Sequence, residues 1–152
     1  VHAVHTLSEK EIEELIYPVG FYKVKAKNIK KICELLILQH DGNVPNTMEE
    51  LLSLPGVGRK TANLVLAKGF NIPAICVDIH VHRILNRIGF LKTKTPEETE
   101  MKLREQIPEK YWIPINDVFV AHGQVICTSQ SPWCSKCVIE DICMRKEVKK
   151  SR

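Results

Sequence analysis

Apolar residues along this chain recur at helical spacing. Ala26, Ile29, Ile32, Cys33, Leu36 and Ile37 form one stripe, closed by Asp41-Gly42-Asn43, and Val81, Ile84, Leu85 and Ile88 form a second. Polar residues mark where helices begin: Ser8 with Glu11, Thr47 with Glu50, and Thr95-Pro96 with Glu98 each place a capping side chain three residues ahead of an acid. The competing strand signal, Ile72 to Val77, is short, interrupted by Pro73 and bounded by Gly69 and Asp78. It predicts a buried extended loop between two helices. No internal repeat or low-complexity tract interrupts the pattern, which predicts an all-α protein.

One stretch carries candidate chemistry. In Leu54-Pro55-Gly56-Val57-Gly58-Arg59-Lys60-Thr61-Ala62, Pro55 presets φ, while Gly56 and Gly58 tolerate positive φ and leave no Cβ in the way of an anion. A helix is predicted from about Gly58 by Ala62, Val65 and Leu66, so unpaired amides and the positive end of its dipole face the same place. The turn suggests a phosphate grip with Lys60 beside it; an ordinary tight turn before a helix is the simpler alternative.

Composition sets the bounds. At 152 residues and 44% hydrophobic content the chain can build a core in one domain or two small helical lobes. With 22 Lys plus Arg against 18 Asp plus Glu, the net charge of +4 is compatible with nucleic acid without requiring it. Two basic groups stand out, Lys23 to Lys31 and Arg145 to Arg152, either of which also reads as a solvated face or a frayed end. No apolar run approaches the roughly 18 residues of a membrane span and no signal peptide opens the chain, so a cytosolic or nuclear setting is the default expectation.

Six cysteines in such a chain favour metal ligands over disulfides. Cys127, Cys134, Cys137 and Cys143 follow the spacing C-x6-C-x2-C-x5-C, dense enough to close around one metal centre. Tetrahedral zinc and an iron-sulfur cluster both accept four thiolates, and spacing does not separate them. Cys33, on an apolar helix face, and Cys76, in an apolar run, read as core residues.

Taken together, Tyr17-Pro18-Val19-Gly20-Phe21-Tyr22, the turn Leu54 to Ala62, the loop Gly69 to Val77, the run Val77-Asp78-Ile79-His80-Val81-His82-Arg83-Ile84 and the four-cysteine loop resemble the endonuclease III family of DNA repair glycosylases. That family lies within the helix-hairpin-helix superfamily that carries a Gly/Pro-rich loop and a catalytic Asp. The resemblance covers essentially the whole chain, and its motifs are specific in order and spacing. It implies two helical lobes, a helix-hairpin-helix lobe at 1–72 and an iron-sulfur lobe at 73–152, with Lys60 and Asp78 facing across a cleft. It also implies a 4Fe-4S cluster on the four cysteines, mainly structural.

The implied partner is double-stranded DNA with damaged bases or abasic sites, bound by a monomer. The implied activity is removal of oxidised pyrimidines with abasic-site lyase cleavage. Lys60 falls at the family's nucleophile and Asp78 at its catalytic carboxylate; Asp78 reads equally as an N-cap. A Lys of ordinary pKa, about 10.4, is protonated at neutral pH, and burial, the helix dipole and Arg59 would each disfavour the ammonium. Phe21 falls at the wedge that fills the gap left by a flipped nucleotide, or else is a core aromatic. The amides of Gly56, Val57 and Gly58, with Arg59, would hold a DNA phosphate.

The chain departs from the family pattern twice. The resemblance begins partway into the usual family chain, ahead of which a segment supplies helices to both lobes and a glutamine-bearing loop. Between Cys127 and Cys134 there is no Lys or Arg, which shifts a family phosphate contact to Lys136 or removes it. The rival readings are a mismatch-specific glycosylase, whose branches lack lysine at the Lys60 position, and a noncatalytic DNA-binding module.

Overall fold

The computed structural model describes every residue from Val1 to Arg152. It is all-helical: α1 (His2–Thr6), α2 (Glu9–Ile16), α3 (Tyr22–His40), α4 (Met48–Ser53), α5 (Arg59–Leu64), α6 (Ile79–Ile88), α7 (Pro96–Gln106) and α8 (Pro114–Val125), with no strand. The backbone groups into two compact units, Val1–Ala62 and Asn63–Arg152. The family resemblance places the division at 72/73 instead. The helical stretch begun by α5 runs through a π turn to Gly69, so the change of unit falls inside a continuous helical segment and not in the loop after it.

In the first unit, α1 and α2 pack on the long helix α3. Ile12, Ala26, Cys33, Leu36, Leu51 and Leu54 are buried there. The predicted helix starts are present: the Ser8 hydroxyl accepts from the Glu11 amide (3.2 Å) and the Glu11 carboxylate accepts from the Ser8 amide (2.8 Å), while Thr47 accepts from Glu50 N–H (3.3 Å). The exit from α3 is the predicted one. Asp41 and Gly42 take positive φ and the Gly42 amide returns to the Leu36 carbonyl at 2.8 Å. Lys30 donates to the carbonyls of His5 and Leu7, tying the end of α1 to α3.

In the second unit the core is built around the loop that the sequence marks. Ile75 and Val77 from that loop, Val81 and Leu85 from α6, Leu91, and Leu103 from α7 form one buried cluster, flanked by Ile107, Trp112, Ile115 and Phe119. Residues 71–78 belong to no helix or sheet, with Asn71 in the left-handed region at φ +53° and the Cys76 carbonyl held by Asn116 Nδ2 at 3.2 Å. Every backbone donor and acceptor in a buried loop needs a partner, and α8 supplies one here. Helices α6 and α8 approach closely at Gly123, where a Cβ would lie 2.8 Å from the His80 Cβ. Buried polar groups are paired on α7: Glu100 accepts from Arg104 Nε (3.0 Å), and Arg104 donates on to Asn63 Oδ1 (3.1 Å) with its guanidinium 5.1 Å from the Trp112 ring centre.

Candidate DNA repair site

The turn at Leu54 forms as its residue types require. The Val57 amide donates to the Leu54 carbonyl at 3.2 Å across Pro55 and Gly56, and Gly56 has φ +76°. Proline second and a positive-φ glycine third match the type II turn. A Cβ on Gly56 would also strike the Asn28 side-chain amide on α3. Gly58 does not use its tolerance of positive φ, and its carbonyl accepts the Ala62 amide (2.9 Å) to open α5 where the sequence predicts it. Nothing lies within 4 Å of the Gly58 Cβ position, so the backbone there is open to close approach. The Val57 amide, one of the three expected to hold a phosphate, is engaged in closing the turn.

Arg59 and Lys60 are the first two residues of α5, and both are exposed. The expected burial of Lys60 is therefore not observed.

Phe21 stands out in the first unit. It is 85% exposed, with φ +59°, in the left-handed region just before α3. A core aromatic it is not. The neighbouring Tyr17 and Tyr22 rings meet edge to face at 5.5 Å, so the short segment ahead of Phe21 has its own local packing.

In the second unit Asp78 caps α6. One carboxylate oxygen accepts from the His80 amide (2.8 Å) and the Val81 amide (3.0 Å), and the residue is 8% exposed. The N-cap reading is thus present in the structure, and it fixes the carboxylate at the mouth of a helix start. From this anchored end α6 runs to the cysteine loop.

Two arginines of α6, spaced i and i+4, grip that loop. Arg83 donates to the carbonyls of Cys127 (2.8 Å) and Gly123 (3.1 Å), and Arg87 to those of Thr128 and Ser129, each at 2.6 Å. Burial, then proximity to Arg87, lowers the Arg83 pKa from its usual value. Neither residue is marked as a loop clamp by the sequence motifs. Their i, i+4 spacing beside the stripe Ile84, Leu85 and Ile88 is the available signal.

Cys127, Cys134, Cys137 and Cys143 line one small cavity, with Ile84, Ile126 and other apolar side chains. N–H groups point at two of the sulfurs: Arg87 Nη1 to Cys127 Sγ at 3.5 Å and the Arg145 amide to Cys143 Sγ at 3.4 Å. Burial pushes the Cys137 thiol pKa up, the Ile139 amide opposes this, and Cys127, Cys143 and Cys134 add to the rise. Four thiolates crowded in an apolar cavity repel one another, so the donor set suits a positively charged inorganic group that several sulfurs share. Burial also holds His122, whose Nε2 lies 3.6 Å from Cys137 Sγ, below the usual imidazole range. Cys33 and Cys76 are buried core residues, as expected.

Residues 1–109 match the HhH-GPD superfamily of base excision DNA repair proteins. Endonuclease III of Thermotoga maritima is 49% identical over 134 residues, covering 88% of this chain and 63% of that protein. Endonuclease III of Escherichia coli K12 is 40% identical over 145 residues, covering 95% of this chain and 69% of that protein. The chloroplastic endonuclease III homolog 2 of Arabidopsis thaliana is 48% identical, with 93% of this chain and 39% of the homolog aligned. A solved endonuclease III in a non-covalent complex with DNA superposes with a TM-score of 0.87 at 39% identity, covering 95% of this chain and 68% of that one. The chain belongs to the HhH-GPD superfamily and, within it, to the endonuclease III family. It spans between 39% and 69% of the length of these relatives.

Proposed function

We propose that this chain carries the catalytic and cluster-bearing portions of a DNA glycosylase that removes oxidised pyrimidines and cleaves the resulting abasic site. The observation that carries the reading is Lys60 in the first turn of α5, directly after an open glycine turn, in a chain of the endonuclease III family. The Lys60 amine, once deprotonated, attacks C1′ of a flipped nucleotide; the new N–C1′ bond replaces the bond to the damaged base, which leaves with a proton. Opening of the sugar gives an imine on Lys60. Loss of a C2′ proton then breaks the C3′–O bond and cuts the strand on the 3′ side.

Asp78 supplies negative charge where the sugar becomes positive. Its carboxylate is already fixed by two amides, so little reorganisation accompanies that interaction. Gly56, Gly58 and Arg59 hold a nearby phosphate, and Phe21, exposed in a left-handed conformation, fills the vacated base stack. Cys127, Cys134, Cys137 and Cys143 would hold a 4Fe-4S cluster as thiolates, and the cluster would add a structural tie to the loop that Arg83 and Arg87 already grip. Four cysteines lining one apolar cavity in a chain of the endonuclease III family support a cluster on these thiolates. No helix is long and apolar enough to cross a membrane; the protein acts as a monomer wherever the cell keeps its DNA, the cytoplasm of a prokaryote or a eukaryotic nucleus or organelle.

Borohydride trapping tests the reaction. Duplex DNA with an oxidised pyrimidine or an abasic site should give a covalent complex with the wild-type chain and none with Lys60→Ala. Binding to damaged duplex with neither trapping nor strand cleavage would replace this reading with a noncatalytic DNA-binding module. Iron and sulfide analysis of protein purified without air tests the cluster.

A further inference from the structure

The reaction leaves one sequence feature unused, the basic group from Arg145 to Arg152. In the structure it does not fray. The Arg152 amide donates to the Pro132 carbonyl at 2.8 Å, and the Ser135 amide donates to the Arg152 carbonyl at 3.1 Å, so this segment lies paired against the cysteine loop. Arg152 Nε adds a bond to the Ser131 carbonyl at 2.9 Å. Side chains reinforce the pairing: the Arg152 guanidinium sits 4.0 Å and the Lys136 ammonium 4.4 Å from the Trp133 ring centre. One indole therefore gathers two cations.

Lys149 and Lys150 lie just before Arg152, both exposed, and line an open groove of ≈ 760 Å³ together with Ser129, Gln130 and Ser131. The two paired stretches, 128–136 and 148–152, contain no Asp or Glu. The nearest acids in sequence are Glu147, which also lines the groove, and Glu140, which pairs with Arg145. Four like charges are thus held together by backbone pairing and an aromatic ring, with no carboxylate within either stretch to offset them. Such an arrangement is relieved by an extended polyanion whose charges repeat along its length.

We infer that Lys136, Lys149, Lys150 and Arg152 form a strip that binds the phosphodiester backbone of duplex DNA, with the segment 149–152 supplying cations that the loop between Cys127 and Cys134 lacks. The inference rests on the reading of DNA as the substrate, but not on the chemistry at Lys60. Phosphate contacts of this kind are independent of base sequence and set affinity through release of counterions.

Fluorescence anisotropy on a labelled, undamaged duplex over a series of salt concentrations tests the strip. Removing two phosphate contacts in Lys149→Ala/Lys150→Ala should lower the slope of log K against log salt by about 1.8 and weaken low-salt binding at least about tenfold. Lys149→Glu/Lys150→Glu should weaken it further, and Arg152→Lys should keep most of the wild-type slope. Thermal midpoints matching wild type separate this from a role in holding the loop. An unchanged slope in both double variants overturns the strip and leaves the glycosylase reading intact. A wild-type chain that binds duplex with the expected slope but cannot be trapped does the reverse. Failure of the wild-type chain to bind duplex at low salt overturns the strip outright.

Discussion

The turn at Leu54 and the loop of four cysteines are held in shape by different physics. The turn is local: one bond between residues 54 and 57, one proline and one positive-φ glycine define it, and a single neighbour, Asn28, limits what Gly56 can become. The cysteine loop contains little regular structure beyond two single 3₁₀ turns, Cys134–Lys136 and Glu140–Ile142. Its shape is imposed from outside by Arg83 and Arg87 of α6 and by the chain that returns at Arg152. A site made by its own sequence tolerates change elsewhere; a site made by its neighbours does not.

Arg87→Leu should show that contrast most strongly. It removes two charge-assisted bonds and leaves the carbonyls of Thr128 and Ser129 without their donor, so a loss of about 3 kcal/mol is expected in urea unfolding, with iron content falling in parallel. Wild-type stability and iron content would show that the loop holds itself. Gly56→Ala comes next, at about 2 kcal/mol, from an alanine forced to positive φ and from crowding of the Asn28 amide. Adding Asn28→Ala should recover the crowding part and not the φ part. Full recovery would mean the turn, too, is governed by a neighbour.

The smallest effect belongs to another locally coded feature, the capping box of α2. Glu11 is held below the usual carboxylate range, first by the Ser8 amide and then by the Ser8 hydroxyl. A carboxylate with a depressed folded-state pKa adds stability above its unfolded pKa and loses it as pH falls through the folded value. Glu11→Gln should therefore match wild type in strong acid and fall slightly behind it at neutral pH. Identical acid-unfolding curves would remove the capping box from the account.

Legibility in the sequence obeys the same division. The caps at Ser8, Thr47 and Thr95, the helix stop at Asp41-Gly42-Asn43, the tight turn after Leu54 and the buried loop before Asp78 are short-range codes, and each is present. The roles of Arg83 and Arg87 were not legible, because a carbonyl about forty residues away leaves no mark on local spacing. The exposure of Lys60 and Phe21 was equally hidden. Burial depends on which elements cover a residue, and periodicity reports only which face it occupies.

The π turn Val65–Gly69 has a consequence for how this chain could change length. A π turn holds one more residue than the α turn it replaces, and each residue added to a helix rotates the downstream chain by about 100°. Because the bulge takes up its extra residue without rotating the flanking turns, deleting one residue between 65 and 69 would let the segment relax to an ordinary helix whose downstream face keeps its register. An insertion is absorbed there in advance. Loss of one residue is the change that this stretch should tolerate, and a deletion scan from 59 to 72 would find its mildest effect at the π turn.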